Sequence, residues 1–220
     1  MKALIFDLDG TLVDTVYGHV AAWQVVLAEA GMAIDGWRVH RRVGMSGGLF
    51  KRAVMRELGR TITTAQLARL DKRHDELFRR FMPQPRPLPG AIELLRFLRE
   101  NSVIHGVATS NRRPHINSSL KILGIPKETV VVDRTEVARA KPEPDLFLAC
   151  QTRLGVTATD CFVVGDAIWD LLAARRAGML AIGLLSGGYG EEELFRAGAF
   201  RVFRDTAELH KYLDELGVLP

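Results

Sequence analysis

The chain has 220 residues, 47% hydrophobic and 25% charged, with a mean hydropathy of +0.04, enough for one good core and a smaller appended unit. No apolar run approaches the ~18 residues of a membrane span, and a strand pattern starting at residue 3 leaves no room for a secretory signal, so a cytoplasmic protein is expected. The isoelectric point of about 9.3 invites a nucleic-acid reading, but no basic stripe interleaved with aromatics supports one. Cys150 and Cys161 are too few for a disulfide framework and fall where buried apolar residues belong.

In chain order, the apolar run at 3–6 reads as a buried parallel strand that ends in Asp7-Leu8-Asp9-Gly10-Thr11-Leu12-Val13-Asp14. Open α/β sheets bind ligands at the carboxyl ends of their strands, which is where Asp7 and Asp9 fall. Two carboxylates this close repel unless a cation or a proton intervenes. Gly10 and Thr11 add a tight turn with backbone N–H groups and a hydroxyl.

After Asp14 the period changes. Val16, Val20, Trp23, Leu27 and Ala30 form a helical stripe closed by Gly31. A second helix is predicted over 49–58. A third, with Thr64 as its N-cap, carries Leu67, Leu70, Leu77, Phe78 and Phe81 on one face. The Pro-rich stretch 83–90 denies helix and favours extended backbone. Residues 15–84 therefore read as an all-helical insert, and 1–14 with 85–220 as the core that receives it. Residues 15–85 carry 12 Lys and Arg against 6 Asp and Glu. That excess suits a small anion held between insert and acidic strand ends, or is an ordinary solvated helix surface.

From Gly90 helix and strand alternate. Ile92, Leu95 and Leu98 mark a helix, 103–108 a strand ending at Thr109-Ser110-Asn111, and Ile116, Leu120 and Leu123 a helix before Gly124. A strand at 130–132, a helix at 145–154 and a strand at 161–164 ending at Gly165-Asp166 come next. A helix to Ala177, strands at 180–184 and 201–203, and helices after Gly190 and Thr206 complete the chain. The expected fold class is α/β, a doubly wound parallel sheet with a Rossmann-like core and an inserted all-helical cap domain.

Four strand ends carry chemistry: Asp7 with Asp9, Thr109, Lys141 in Ala140-Lys141-Pro142-Glu143-Pro144, and Asp166 with Asp170 in Gly165-Asp166-Ala167-Ile168-Trp169-Asp170. If the first and fourth core strands are neighbours, Asp7 and Asp166 flank one crevice with the hard oxygen ligands that Mg²⁺ prefers. Lys141 would offset the remaining negative charge, or be an ordinary surface lysine. Asp170 would join the crevice, or only serve a helix N-terminus.

Together these residues resemble the haloacid dehalogenase-like hydrolase superfamily, in its phosphatase branch with a helical cap. Its first motif, Asp-x-Asp-Gly-Thr-x-x-Asp, is matched in full from Asp7 to Asp14; Thr109 matches the second, Lys141 the third, and Gly-Asp-x-x-x-Asp at 165–170 the fourth. Ala167 stands where many relatives carry Ser or Thr. The resemblance implies Asp7 as a nucleophile that forms an aspartyl-phosphate. It implies Asp9 as general acid and base, holding a proton near neutrality with help from desolvation under a closed cap. Thr109, Lys141 and backbone groups around Gly10, Ser110 and Asn111 are implied at the phosphoryl oxygens. Mg²⁺ is implied at Asp7, the backbone carbonyl of Asp9, Asp166 and, through water, Asp170.

The activity implied by the resemblance is that of a Mg²⁺-dependent phosphatase for a small phosphorylated metabolite, a monomer or weak dimer with no nucleic-acid or membrane partner. The acid at position 9 argues against the dehalogenases, whose halide leaves without a proton. In the cap, segment 41–48 with Arg42 and Ser46 is expected to face the substrate, or is only a loop between helices. His19 with Trp23 resembles the cap entry of the beta-phosphoglucomutase branch, where a His–Lys pair and a cap Arg favour mutase turnover. Here Gly47 stands for that Arg and His74 for that Lys, which favours hydrolysis. A sugar phosphomutase and a phosphoryl-binding protein without turnover are the alternatives.

Overall fold

The structure is a computed structural model describing residues 2–45 and 47–219, so Ser46 lies outside the described residues. Its elements are, in order, β1 (Ala3–Phe6), α1 (Val16–Glu29), α2 (Gly36–His40), α3 (Gly47–Glu57), α4 (Thr64–Phe81), α5 (Ala91–Glu100), β2 (His105–Ala108), α6 (Asn117–Ile122) and β3 (Val130–Val132). Then come α7 (Asp145–Leu154), β4 (Cys161–Gly165), α8 (Ile168–Arg176), β5 (Leu180–Leu184), α9 (Glu191–Ala197), β6 (Ala199–Phe203) and α10 (Thr206–His210).

The period-2 alternation of strand side chains builds two apolar layers from short runs. Leu4, Phe6, Val107, Val131, Phe162, Val164, Ile182 and Leu184 face one layer, completed by Leu94 and Leu98 of α5 and Leu209 of α10. Ala3, Ile5, Ala108, Val132, Cys161, Val163 and Ala181 face the other, against Phe147 of α7, Leu171 of α8 and Leu194 of α9. The strands are parallel in the order β3-β2-β1-β4-β5-β6, and Phe6 pairs with Val107 on one side and Val164 on the other. The chain switches direction across the sheet between β1 and β4, which opens a crevice at their carboxyl ends. Burial pushes the Cys150 thiol up to about 12 and Cys161 up to about 11, so neither offers a thiolate.

The helices between β1 and α5 build a third apolar layer with no sheet residue in it: Val20, Trp23, Val26 and Leu27 of α1, Phe50, Val54 and Met55 of α3, Leu70 and Leu77 of α4. Three local expectations are corrected. The α4 N-cap is Thr63, not Thr64: its hydroxyl accepts from the Gln66 N–H at 3.2 Å while Gln66 Oε1 accepts from the Thr63 N–H at 2.8 Å. Ala30 and Phe81 are exposed, because the buried stripes end at Leu27 and Leu77, short of the helix ends at Glu29 and Phe81. And α2 has no counterpart in the sequence pattern, since five residues are too few to display a helical period.

The helical layer joins the sheet through two adjacent segments. The Asp14 N–H donates to the Arg86 carbonyl at 2.8 Å and the Leu88 N–H to the Leu12 carbonyl at 2.9 Å, with Val13 opposite Pro87 in antiparallel register. The Pro-rich return is therefore paired with the outgoing strand as a two-stranded ribbon. Among the described residues no helix is long and apolar enough to cross a membrane.

Candidate active site

At the carboxyl end of β1 the chain leaves the sheet, yet the Asp7 N–H still donates to the Val164 carbonyl at 2.9 Å, which fixes its side chain over the β1–β4 crevice. Asp7 is buried, and burial pushes its carboxyl up to about 7 against the opposing pull of Lys141. Lys141 is 1% exposed; its ammonium is bonded to Asp7 Oδ1 and lies 2.8 Å from Asp170 Oδ1. Burial acts to lower the lysine, but Asp170 and Asp7 together raise it above its ordinary value, so it is a fixed cation. The surface-lysine alternative is thus removed. Asp170 lies in the first turn of α8, where its Oδ2 accepts from the Ala167 N–H at 3.0 Å while Oδ1 orients Lys141.

Asp166 is held on three sides. Its Oδ1 accepts from the Thr11 hydroxyl at 2.8 Å, and its Oδ2 lies against the α-carbons of Gly10 and Gly187. A Cβ at either glycine would overlap that oxygen, so the turn after β1 and the loop after β5 close on the carboxylate only because both positions lack a side chain. Burial, then Asp170 and Asp7, push the Asp166 carboxyl well above the ordinary range. Carboxylate oxygens of Asp7, Asp166 and Asp170 all lie within 4.8 Å of one another. Three buried carboxylates around one lysine leave a crevice short of positive charge. An all-oxygen set of this kind fits a hard divalent cation.

Asp9 corrects an expectation. Burial does act to raise its carboxyl, but hydrogen bonding and charge from His19, with further bonds from Thr15 and Asn111, hold it below the ordinary carboxylate range. The Thr15 hydroxyl donates to Asp9 Oδ1 at 2.7 Å, and His19 Nε2 lies 3.8 Å from the same oxygen. With the helical layer seated on the sheet, donors outweigh desolvation and Asp9 is ionised.

Behind His19 runs a polar chain that crosses from insert to sheet. His19 Nδ1 is 3.2 Å from His74 Nε2, and His74 Nδ1 is 3.4 Å from Asp75 Oδ1. Asp75 Oδ2 in turn lies 3.4 Å from His115 Nε2. The His19 ring stacks on Phe78 at 4.0 Å and on His74 at 5.2 Å, and Trp23 stacks on His74 at 4.4 Å. Burial lowers His74, so it is a neutral link in that chain.

A cavity of about 450 Å³ opens between the carboxyl ends of the strands and the helical layer. Asp7, Asp9, His19, Arg42, Thr109, Ser110 and Asn111 line it, while Lys141, Asp166 and Asp170 lie behind Asp7. Val43, Gly44, Met45, Gly47 and Gly48 line its helical side, and the Ser110 hydroxyl donates to the Gly44 carbonyl at 3.2 Å. The Thr109 hydroxyl accepts from the Asn111 N–H at 3.0 Å, and among the described residues no acceptor takes its own proton. Arg42 and Lys51 reach the cavity already paired, with Glu57 and Asp71 respectively, so little of the insert's basic excess is free there.

Several groups at the site escaped sequence reasoning. Asp75 and His115 come together from separate layers, and no local pattern joins them. Gly187 carried a signal: a Gly pair separated from the end of β5 by two residues, at the same carboxyl edge of the sheet as Asp166.

Comparison with known proteins agrees with this geometry. The profile of the haloacid dehalogenase-like hydrolase family matches residues 1–178. The chain is 34% identical to a phosphoglycolate phosphatase of Rhodospirillum rubrum, covering all of this chain and 96% of the relative. It is 33% identical to a beta-phosphoglucomutase of Bacillus subtilis, covering 95% and 92%. The crystal structure of a hydrolase from Pseudomonas syringae superposes with a TM-score of 0.94 at 44% identity, covering 98% of this chain and 99% of that one.

Proposed function

This chain belongs to the haloacid dehalogenase-like hydrolase family, and from that membership we propose a Mg²⁺-dependent phosphatase that acts on a small phosphorylated metabolite through an aspartyl-phosphate on Asp7. The observation that carries the reading is the buried cluster at the end of β1: Asp7 tied to Lys141, carboxylate oxygens of Asp7, Asp166 and Asp170 within 4.8 Å of one another, and Asp9 two residues on at the same cavity.

In this reading an Asp7 carboxylate oxygen bonds to phosphorus as the bond to the leaving oxygen breaks. Asp9 gives its proton to the leaving alkoxide. It then takes a proton from the water whose oxygen displaces Asp7 from phosphorus and restores the carboxylate. Because Asp9 is ionised in the free chain, it takes up a proton from solvent on binding the substrate, whose dianion raises a neighbouring carboxyl by like-charge repulsion. The hydroxyl of Thr109 and the ammonium of Lys141 meet the phosphoryl oxygens. Residues 15–84 act as the cap that keeps water out. Asp7, Asp166 and the Asp9 carbonyl would hold Mg²⁺, with Asp170 in reach through water, and the bound ion offsets the charge that a phosphate dianion adds to this crevice.

A second reading, a sugar phosphomutase, draws support from the beta-phosphoglucomutase likeness and from His19 beside Asp9. Against it stands His74 in place of a lysine. The test is a panel of phosphorylated metabolites with Mg²⁺ and with excess chelator, following both inorganic phosphate and isomerised product. Phosphate release that vanishes with chelator and returns with Mg²⁺ is expected. Unchanged release in chelator overturns the reading, and isomerisation without release selects the mutase.

A further inference from the structure

Two consecutive residues of the helical insert, His40 and Arg41, sit in a socket on the sheet side. His40 is the last residue of α2, is buried, and its Nε2–H donates to the Gly187 carbonyl at 2.7 Å. Its ring stacks on Tyr17 with centroids 5.4 Å apart and planes 9° apart, and packs on Tyr189 at 5.3 Å on the other side. The Arg41 carbonyl accepts from Trp169 Nε1 at 3.1 Å and from the Tyr189 hydroxyl at 3.2 Å. Its guanidinium lies 4.8 Å over the Tyr189 ring and 2.7 Å from Glu193 Oε1.

Both partners of this socket adjoin the acidic crevice. Gly187 is the residue whose α-carbon lies against Asp166 Oδ2, and the neighbouring Ser186 hydroxyl donates to the Gly10 carbonyl at 2.7 Å, across the same carboxylate. Trp169 occupies the turn of α8 that carries Asp170. The loop 185–189 is thus bonded to His40 through the Gly187 carbonyl and packed against Asp166 at the Gly187 α-carbon. A movement of the insert that withdraws His40 releases the Gly187 peptide, and with it one wall of the Asp166 clamp.

We propose that His40 is a positioning residue that couples seating of the helical insert to the cation site: its bond to Gly187 fixes the loop that sets Asp166. The inference rests on the reading of Asp7 and Asp166 as cation ligands. Coupling of this kind is reciprocal, so cation binding favours the seated insert as much as the seated insert favours cation binding. An enzyme built this way assembles its cation site fully only when the insert is down over the cavity.

The test measures Mg²⁺ binding calorimetrically without substrate, in the full chain, for wild type, His40→Ala and His40→Gln. His40→Ala should weaken Mg²⁺ about 10-fold, within the range usual for coupled sites. His40→Gln carries an amide donor at the Nε2 position and should stay within about 2-fold. In the wild type, Mg²⁺ should slow amide exchange at 37–42 as well as at 185–189. Unchanged Mg²⁺ affinity in folded His40→Ala, or His40→Gln as impaired as His40→Ala, overturns the coupling. If His40→Ala fails to fold, the wild-type exchange decides: no slowing at 37–42 on Mg²⁺ binding overturns it too. A wild type that binds no Mg²⁺ instead overturns the cation reading beneath it.

Discussion

Replacing Lys141 by Met tests the electrostatics of the crevice without emptying space, since the two side chains are close in length. Lys141 is 1% exposed and serves both Asp7 and Asp170, so its loss leaves these buried carboxylates without the one cation that pairs with them among the described residues. An unpaired buried charge neutralises rather than persists, so one carboxyl takes up a proton. Loading a carboxyl of ordinary pKa costs ~4 kcal/mol at pH 7 and ~7 kcal/mol at pH 9, from about 1.4 kcal/mol per pH unit, whereas wild-type Asp7, at about 7, gives up its proton across that range. The folded variant then binds one proton more than its unfolded state, and its stability falls as pH rises. The assay is urea unfolding of wild type and Lys141→Met in excess chelator at both pH values. The stability gap between them should be ~2 kcal/mol wider at pH 9 than at pH 7. A gap that stays within ~0.5 kcal/mol across that range refutes the argument, because it means the lysine charge is not what keeps those carboxylates ionised.

Asp9→Asn should still accept a phosphoryl group from an aryl phosphate, whose leaving group needs little protonation, and label should accumulate on Asp7; on alkyl phosphates turnover should fall by roughly 10²–10⁴-fold. Full activity of that variant on alkyl phosphates would remove Asp9 from the chemistry. Gly187→Ala pushes a methyl into Asp166 Oδ2 and should abolish Mg²⁺ binding by calorimetry while the far-ultraviolet circular dichroism stays native; retained binding would show that the loop is not the wall of the clamp. Thr63→Ala removes the α4 capping box and should cost ~1 kcal/mol in urea unfolding, whereas Thr64→Ala should cost little.

The sheet and its chemically armed ends were legible because their signals are local. Ala3–Phe6 is a short apolar run stopped by acid, Gly and Thr, and a parallel strand buried on both faces needs nothing more. The same holds for Val130–Val132 and Cys161–Gly165, so the order of chemical groups along the chain fell at strand ends by inspection. What one residue touches across the fold was not legible. Lys141 taken alone read as a surface lysine; only the meeting of two carboxylates, from the end of β1 and from α8, around it buried the ammonium. Asp9 was expected to hold a proton because its burial was inferred and its donors were not: Thr15, His19 and Asn111 converge on it from a link, a helix of the insert and the end of β2. His40 and Gly187 are 147 residues apart, and no period or motif connects them. Backbone conformation is set mainly by near neighbours in the chain, so the sequence by itself determined the elements and the acids at their ends. The charge state of those acids depends on solvent exclusion and on donors brought from distant segments, and that only the packing of insert on sheet decided.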